Sequence, residues 1–276
     1  MSQMKDWCVL IVAMSSVKDN IKAVFFDIDG TLVSFTTHTV PESARRAIAR
    51  LRERGVKVFI ATGRLLRHTE VVSDIEVDGY ITVNGSYCLT ASGDVIFEQS
   101  FPKDVVARIF ALEKEYGFRA AVMTHENIFV DSLSGRPEEV ADMVHITPVE
   151  ADLDEIVATQ PVLQMCPYIS KELEQKIMPL LPECVSSRWV DMFMDLNLKG
   201  IDKSVAARRV MEYYGYTIDE AMAFGDGGND VPIVRDVGGG VAMGNACEEL
   251  KSVADYVAAS VDEDGIERAL LHFGLI

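Results

Sequence analysis

Asp27 and Asp29 are the first residues in this sequence whose types and spacing suggest chemistry, because they follow the apolar run Ala23 to Phe26. Residues two positions apart in an extended chain point to the same side, so both carboxylates are predicted to face one space. Two carboxylates at such a short distance repel each other. They can share a divalent cation, or their pKa values can differ so that one group keeps its proton while the other is ionised. An ionised nucleophile beside a protonated acid suits phosphate ester cleavage, in which Asp27 attacks phosphorus and Asp29 protonates the leaving oxygen.

Gly30 and Thr31 complete the string Asp-Ile-Asp-Gly-Thr. Glycine permits a tight backbone at this point, and the threonine hydroxyl can bind a phosphate oxygen. The same string is also typical of a plain strand followed by a turn, because aspartate and glycine are common turn residues. The string alone therefore leaves both interpretations open.

The segments around this string predict a β-α-β unit. The apolar run before Asp27 is typical of a buried strand in a parallel sheet, with functional residues in the loop at its carboxyl end. A helix is predicted over 41–55, and a second strand over 56–61 runs directly into Thr62 and Arg64. Parallel neighbours present their carboxyl ends at one edge of the sheet. Thr62 and Arg64 are therefore expected near Asp27.

The predicted pattern of secondary structure changes in the middle third of the sequence. Strands and helices alternate up to about residue 85 and again from about residue 192, whereas the stretch between shows hairpin signals mixed with helices. This change predicts a separate α+β module over 86–191, inserted into an α/β domain that comprises 21–85 and 192–276. Residues 1–20 are interpreted as an N-terminal extension.

Composition restricts the class of partner. The 276 residues are 49% hydrophobic and 25% charged, as in globular proteins, and carry a formal net charge of -17. Such an acidic chain would repel nucleic acid, so no nucleic-acid partner is expected. No apolar run is long enough to span a membrane, so no membrane partner is expected either. The five cysteines are scattered and odd in number, which favours a reducing cytoplasm and neither a disulfide framework nor a zinc site.

Four strings in order resemble the motifs of the haloacid dehalogenase-like phosphatases. Asp27 to Thr31 resembles the first motif, and Thr62 in Ala-Thr-Gly-Arg resembles the second. Lys203 in Lys-Gly-Ile-Asp-Lys resembles the third, and 225–230 in Gly-Asp-Gly-Gly-Asn-Asp resembles the fourth. Each string alone is common, but the set and its order span nearly the whole chain after residue 20. This resemblance decides between the two interpretations in favour of catalysis.

The resemblance implies a fold as well. The long interval between the second and third motifs resembles that of the Cof-type subfamily of sugar-phosphate and related phosphatases, in which a cap domain is inserted there. The expected fold class is therefore α/β, a Rossmann-like parallel-sheet core domain with an inserted smaller α+β cap domain over 86–191. A monomer is expected, since a cap of this size can shield the site alone.

The resemblance also implies residue roles. Asp27 is expected to be the nucleophile and a Mg²⁺ ligand, and Asp29 the acid and base, with its backbone carbonyl also on the metal. Asp226 is expected to be the remaining carboxylate ligand, with Asp230 in the outer shell of the metal. Thr62 and Lys203 would hold phosphate oxygens. The residues expected at the substrate are Thr31, Gly63, Arg64 and Asn229, and Arg64 is equally well interpreted as an ordinary surface arginine.

The expected function is that of a Mg²⁺-dependent phosphatase that hydrolyses small phosphorylated metabolites, such as sugar phosphates, through an aspartyl-phosphate. One alternative is a phosphotransferase or mutase that passes the phosphoryl group to a sugar hydroxyl. The other is a protein that binds a phosphometabolite as a sensor without turnover. Analysis of the products would separate the first alternative, and binding without phosphate release at saturating Mg²⁺ would favour the second.

Overall fold

The computed structural model describes residues 20–188 and 190–276. The predicted N-terminal extension, 1–20, lies outside these residues except for Asn20. Strands are labelled in chain order: β1 (Ala23–Phe26), β2 (Lys57–Ala61), β3 (Gly79–Thr82), β4 (Tyr87–Thr90), β5 (Val95–Glu98), β6 (Ala120–Met123), β7 (Ile128–Val130), β8 (Val149–Glu150), β9 (Gln164–Pro167), β10 (Cys184–Ser187), β11 (Asp195–Leu198), β12 (Ala221–Gly225), β13 (Gly239–Ala242) and β14 (Tyr256–Val257).

The helices are labelled in the same way: α1 (Glu42–Glu53), α2 (Lys103–Tyr116), α3 (Arg136–Val144), α4 (Leu153–Thr159), α5 (Lys171–Ile177), α6 (Lys203–Tyr213), α7 (Val231–Asp236), α8 (Glu248–Val253) and α9 (Gly265–His272). The longest of them, α2, has 14 residues and ends at Tyr116, and the next residue, Gly117, has a φ of 69°, in the left-handed region that glycine adopts readily. Within the described ranges, no helix is both long and apolar enough to cross a membrane.

The first sheet has eight strands in the order β14-β13-β12-β1-β2-β3-β4-β5. The strands from β14 to β3 are parallel to one another, and β4 turns back antiparallel to β3. In the centre, Phe25 of β1 lies beside Phe59 of β2 on one side and Ala223 of β12 on the other. The carboxyl ends of β12, β1 and β2 therefore meet at one edge of the sheet.

Helices cover both faces of this sheet, which explains why its central strand is entirely apolar. Residues 23–26 of β1 are all fully buried. Phe26 faces the layer of α1 and α9, whereas Phe25 faces the layer of α6, α7 and α8. The burial of one such phenylalanine stabilises the fold by about 1.5 to 3 kcal/mol. The apolar run seen in the sequence thus anchors the loop that carries Asp27 and Asp29.

The second sheet has six strands in the order β10-β11-β9-β6-β7-β8, and all of its pairs are antiparallel except β7 with β8. Its core is formed by side chains of β6, β7, β9 and β11 together with apolar residues of α2, α4 and α5. The fold class is therefore confirmed: a parallel-sheet α/β core and a second unit of the α+β type.

The compact units of the structure have different bounds from the predicted domains. The first unit extends to Phe97 and resumes at Asp202, and the second unit is Glu98–Ile201. The hairpin of β4 and β5 was assigned to the insert, but an antiparallel hairpin can also extend the edge of a parallel sheet. Here it does so, with Phe97 packed against the core of the first unit. At the other boundary, β11 pairs with β9 and β10 and so belongs to the second sheet.

Candidate active site

Three neighbouring strands of the first sheet place polar side chains at the same edge. Asp27 follows β1, Thr62 follows β2, and Asp226 follows β12. Backbone hydrogen bonds continue the sheet into this region, since the N–H of Asp27 donates to the carbonyl of Phe224 at 3.1 Å. The positions expected for Asp27 and Thr62 from the β-α-β unit are confirmed.

A cluster of three carboxylates occupies this edge. One carboxylate oxygen from each of Asp27, Asp226 and Asp230 lies within 4.8 Å of the others. Asp27 and Asp230 are buried, and Asp226 is half-buried. Carboxylate oxygens are the ligands that Mg²⁺ prefers, so the donor set fits a hard divalent cation.

Lys203 lies inside this cluster. Its Nζ donates to Asp27 Oδ1 at 2.7 Å and to Asp230 Oδ1 at 2.6 Å, and its side chain is 0% exposed. Lys203 is the first residue of α6, and Asp202 caps that helix by accepting the N–H of Val205 at 2.9 Å. The start of the helix therefore positions the lysine of the third motif beside the carboxylates.

The charges in the cluster do not balance. Burial raises the pKa of Asp27 well above its usual range, although Lys203 opposes the shift. Burial, together with the nearby Asp230, raises the pKa of Asp226 to about 7. Burial alone would lower the pKa of Lys203, but the carboxylates of Asp230 and Asp27 raise it. Three carboxylates share one cation, which is a second reason why a divalent cation fits here.

Asp230 holds the loop that carries Asp226. Its Oδ1 accepts from Lys203, and its Oδ2 accepts the N–H groups of Asp226 and Gly227, both at 3.0 Å. The loop passes so close that a Cβ on Gly225 would lie 2.5 Å from Asp230 Cγ. Both oxygens of Asp230 are thus occupied by protein donors, which suits a supporting role beside the metal ligands.

Two further side chains orient the Asp226 carboxylate. The buried hydroxyl of Thr31 donates to Asp226 Oδ1 at 3.3 Å. Asn245 Nδ2 donates to the carbonyl of Gly30 at 2.8 Å and approaches Asp226 Oδ2 at 3.4 Å, while its Oδ1 accepts from Val261 N at 3.1 Å. Thr31 is predicted to bind a phosphate oxygen, and in the structure its hydroxyl contacts Asp226. The contacts of Asn245 were not predicted from the sequence.

Arg64 binds Asp29 through both carboxylate oxygens. Its Nε donates to Oδ2 at 2.8 Å and its Nη2 to Oδ1 at 2.5 Å, in the bidentate geometry typical of strong arginine pairs. Nη1 of the same guanidinium donates to the carbonyl of His68 at 2.9 Å. Arg64 is therefore more than an ordinary surface arginine, and its partner is the predicted acid and base.

The second motif contacts the fourth through Asn84. Asn84 Oδ1 accepts from Asn229 Nδ2 at 3.0 Å, and a Cβ on Gly63 would lie only 3.0 Å from that same Asn84 oxygen. Asn84 adopts a φ of 54°, in the left-handed region that asparagine tolerates better than most residues. The buried Thr62 hydroxyl accepts the N–H of Arg64 at 3.1 Å and retains its own proton to donate.

Comparison with known proteins decides the family. Residues 24–270 match the profile of the haloacid dehalogenase-like hydrolases. The chain belongs to the haloacid dehalogenase-like hydrolase family. The resemblance inferred from the four motifs is thereby confirmed.

Relatives of this haloacid dehalogenase-like hydrolase are named phosphatases. YkrA of Bacillus subtilis, whose name describes it as a phosphatase, is 31% identical over 92% of this chain and 98% of its own length. YcsE of the same organism, a 5-amino-6-(5-phospho-D-ribitylamino)uracil phosphatase, is 27% identical over 93% of this chain and 97% of its own length.

Solved structures agree with this assignment. The phosphatase BT1666 of Bacteroides thetaiotaomicron superposes with a TM-score of 0.89 at 38% identity, covering 93% of this chain and 96% of BT1666. The subclass IIB sugar phosphatase BT4131 superposes with a TM-score of 0.83, also at 38% identity, covering 92% of this chain and 100% of BT4131. The chain is thus a haloacid dehalogenase-like phosphatase.

Proposed function

We propose that this enzyme is a Mg²⁺-dependent phosphatase that hydrolyses small phosphorylated metabolites, in particular sugar phosphates, through an aspartyl-phosphate. The observation that carries the proposal is the buried cluster of Asp27, Asp226 and Asp230 with Lys203 inside it. The likeness to the sugar phosphatase BT4131 supports the substrate class. The four described cysteines are free, which is compatible with the cytoplasm that we propose as its compartment.

Asp27 is the proposed nucleophile. Lys203 holds Oδ1, so we assign the attack on phosphorus to Oδ2. In the first step the bond from Oδ2 to phosphorus forms while the ester bond to the leaving oxygen breaks, and that oxygen takes a proton from Asp29. In the second step water attacks phosphorus, Asp29 accepts the proton from that water, and inorganic phosphate leaves with the carboxylate of Asp27 restored.

Asp29 can perform this proton transfer only after a change in its contacts. Arg64 donates to both of its oxygens, so neither oxygen can give a proton to the leaving group while this pair is intact. Arg64 must therefore release at least one oxygen of Asp29, and that oxygen must take up a proton from water, before the acid step. An arginine that exchanges a carboxylate for a phosphate oxygen makes contacts of the same kind, which supports a place for Arg64 at the substrate.

Mg²⁺ would be held by the side chains of Asp27 and Asp226 and by the backbone carbonyl of Asp29, while Asp230 steadies the loop. When bound, the ion would neutralise negative charge on the phosphoryl group and reduce its repulsion from the nucleophile. Lys203 supplies a second positive charge beside Asp27. Thr62, with its hydroxyl proton, is the proposed donor to a phosphate oxygen, and Gly63 and Asn229 lie in the adjoining loops.

The experiment that tests the proposal is phosphate release from sugar phosphates, nucleotides, pyridoxal phosphate and p-nitrophenyl phosphate, with and without Mg²⁺. Turnover is expected to need Mg²⁺ and to fall by at least about a thousandfold in Asp27→Asn, since the amide is a poor nucleophile. Asp104→Asn is the matched control, because Asp104 is an exposed aspartate of α2, and it should keep full activity.

Three results would count against the proposal. Full turnover without Mg²⁺ would exclude the metal dependence, and full turnover by Asp27→Asn would exclude the nucleophile. Transfer of the phosphoryl group to an added sugar, with no release of inorganic phosphate, would identify a phosphotransferase.

A further inference from the structure

Phe35 is unusual because a large apolar side chain is held in solvent close to the carboxylate cluster. It is 63% exposed, the highest fraction among the exposed large hydrophobic side chains of the described residues. The next most exposed of these is Tyr213, at 54%. Isolated exposed hydrophobic residues are common and need no explanation by themselves. Phe35 differs in two respects, the loop that carries it and the residues that it touches.

The loop around Phe35 is built from specific hydrogen bonds. The fully buried Ser34 accepts the N–H groups of Thr36 and Thr37 through its Oγ, at 3.0 and 3.1 Å. The backbone of Ser34 also pairs with the carbonyl of Thr39 at 3.1 Å and with the N–H of His38 at 2.9 Å. These bonds close the segment 34–39 on a buried residue, so Phe35 projects from an ordered turn.

The ring of Phe35 lies beside the first motif. A Cβ on Gly30 would lie 2.6 Å from Phe35 Cε2 and 2.6 Å from Asp226 Cγ, so the phenyl ring and the carboxylate both lie next to this glycine. With 63% of the residue exposed, much of the phenyl ring remains available for contact with a ligand.

We propose that Phe35 is a specificity residue, a platform on which the leaving group of the substrate stacks through a flat carbon face. This inference rests on the proposed function and refines it to ring-bearing phosphate monoesters. The phosphoryl group would lie at the carboxylates, and a ring one or two bonds further out would reach Phe35. The C–H face of a sugar and the face of an aromatic ring share this chemistry, because both make dispersion contacts with a phenyl face.

The test compares Phe35→Ala, Phe35→Leu and Phe35→Tyr on three substrates: the best hexose phosphate of the panel, p-nitrophenyl phosphate, and acetyl phosphate, which has no ring. For Phe35→Ala, kcat/KM on the ring-bearing substrates is expected to fall about tenfold, mainly through a higher KM. The fold-decrease on acetyl phosphate should be at least fivefold smaller. Phe35→Tyr should retain most of the wild-type kcat/KM on the ring-bearing substrates, and Phe35→Leu should lie between Phe35→Tyr and Phe35→Ala. Tyr213→Ala, which removes an exposed aromatic residue of α6, is the matched control.

The outcomes distinguish a sugar ring from an aromatic ring in the leaving group of the substrate. A loss confined to the hexose phosphate identifies a sugar, and one confined to p-nitrophenyl phosphate identifies an aromatic ring. Equal losses on all three substrates, no loss on any ring-bearing substrate, or a wild-type enzyme that hydrolyses only acetyl phosphate would each overturn the proposal. Unchanged melting temperatures of the variants would show that the fold is intact.

Failure of the proposed function is distinguishable from failure of this inference. If the wild type hydrolyses no ester with Mg²⁺, the proposed function fails, and stacking is then tested by calorimetry in the Asp27→Asn background. Phe35→Ala should weaken the binding of hexose phosphate or p-nitrophenyl phosphate at least fivefold more than the binding of inorganic phosphate. Equal weakening, or none, would overturn the inference.

Discussion

Replacement of Lys203 by methionine tests whether this lysine neutralises the carboxylate cluster. Methionine keeps a similar length and apolar stem but removes the positive charge, so both ion pairs, at 2.7 and 2.6 Å, are lost. Three carboxylates within 4.8 Å of one another would remain without a cation. Removal of one partner from a buried ion pair costs about 3 to 5 kcal/mol, because the other charge stays buried and uncompensated.

This loss is large enough to measure by thermal unfolding. For a protein of this size, 1 kcal/mol shifts the melting temperature by about 2 to 4 °C, so Lys203→Met is expected to melt about 6 to 20 °C below the wild type. The matched control is Lys57→Met, because Lys57 pairs with Asp78 at 3.2 Å in a partly exposed site. Such a pair contributes less than about 1 kcal/mol, so the control should shift only slightly.

Magnesium provides a second arm of the same assay. A site that has lost its lysine is more negative and should bind Mg²⁺ more tightly, so the ion should raise the melting temperature of Lys203→Met more than that of the wild type. Phosphate release should nevertheless be lost. The reasoning is refuted if Lys203→Met melts no lower than Lys57→Met in the absence of Mg²⁺, since the lysine would then contribute nothing to neutralising the cluster.

Two further predictions concern a pH effect and a positioning residue. Burial, and secondarily Asp131, raises the pKa of Glu113 from 4.5 to about 7, so the free energy of unfolding should fall as pH rises through that interval. Glu113→Gln keeps an acceptor for the N–H of Ala120. Measured by urea unfolding, this variant should be more stable than the wild type by about 1 to 2 kcal/mol at pH 8, after allowance for partial exposure, and by little at pH 4. An equal gain at both pH values would contradict the titration argument. Asn245→Ala should weaken Mg²⁺ binding about tenfold in calorimetric titration, because Asp226 loses a group that orients it, and unchanged affinity would exclude that role.

The local pattern of the sequence determined the elements and part of the site. Four apolar residues followed by two aspartates specified a buried strand with a functional loop, and β-α-β connectivity placed Thr62 beside Asp27. Lys203 and Asp226 could be assigned because their strings stand in the order that the family shares. These inferences succeed because strand burial and parallel crossovers are properties of short segments, which their own periodicity encodes.

Only the tertiary structure decided which side chains meet within the site. Thr31 donates to Asp226 across 195 positions, Asn245 contacts Gly30 across 215, and Arg64 clamps Asp29 across 35. None of these pairs is encoded by periodicity, because each depends on strand order and on the exact course of two loops. The hairpin of β4 and β5 shows the same limit, because its turn signal is identical whether it begins a new domain or extends an existing sheet. In the structure it extends the edge of the first sheet beside β3, which the sequence alone does not specify.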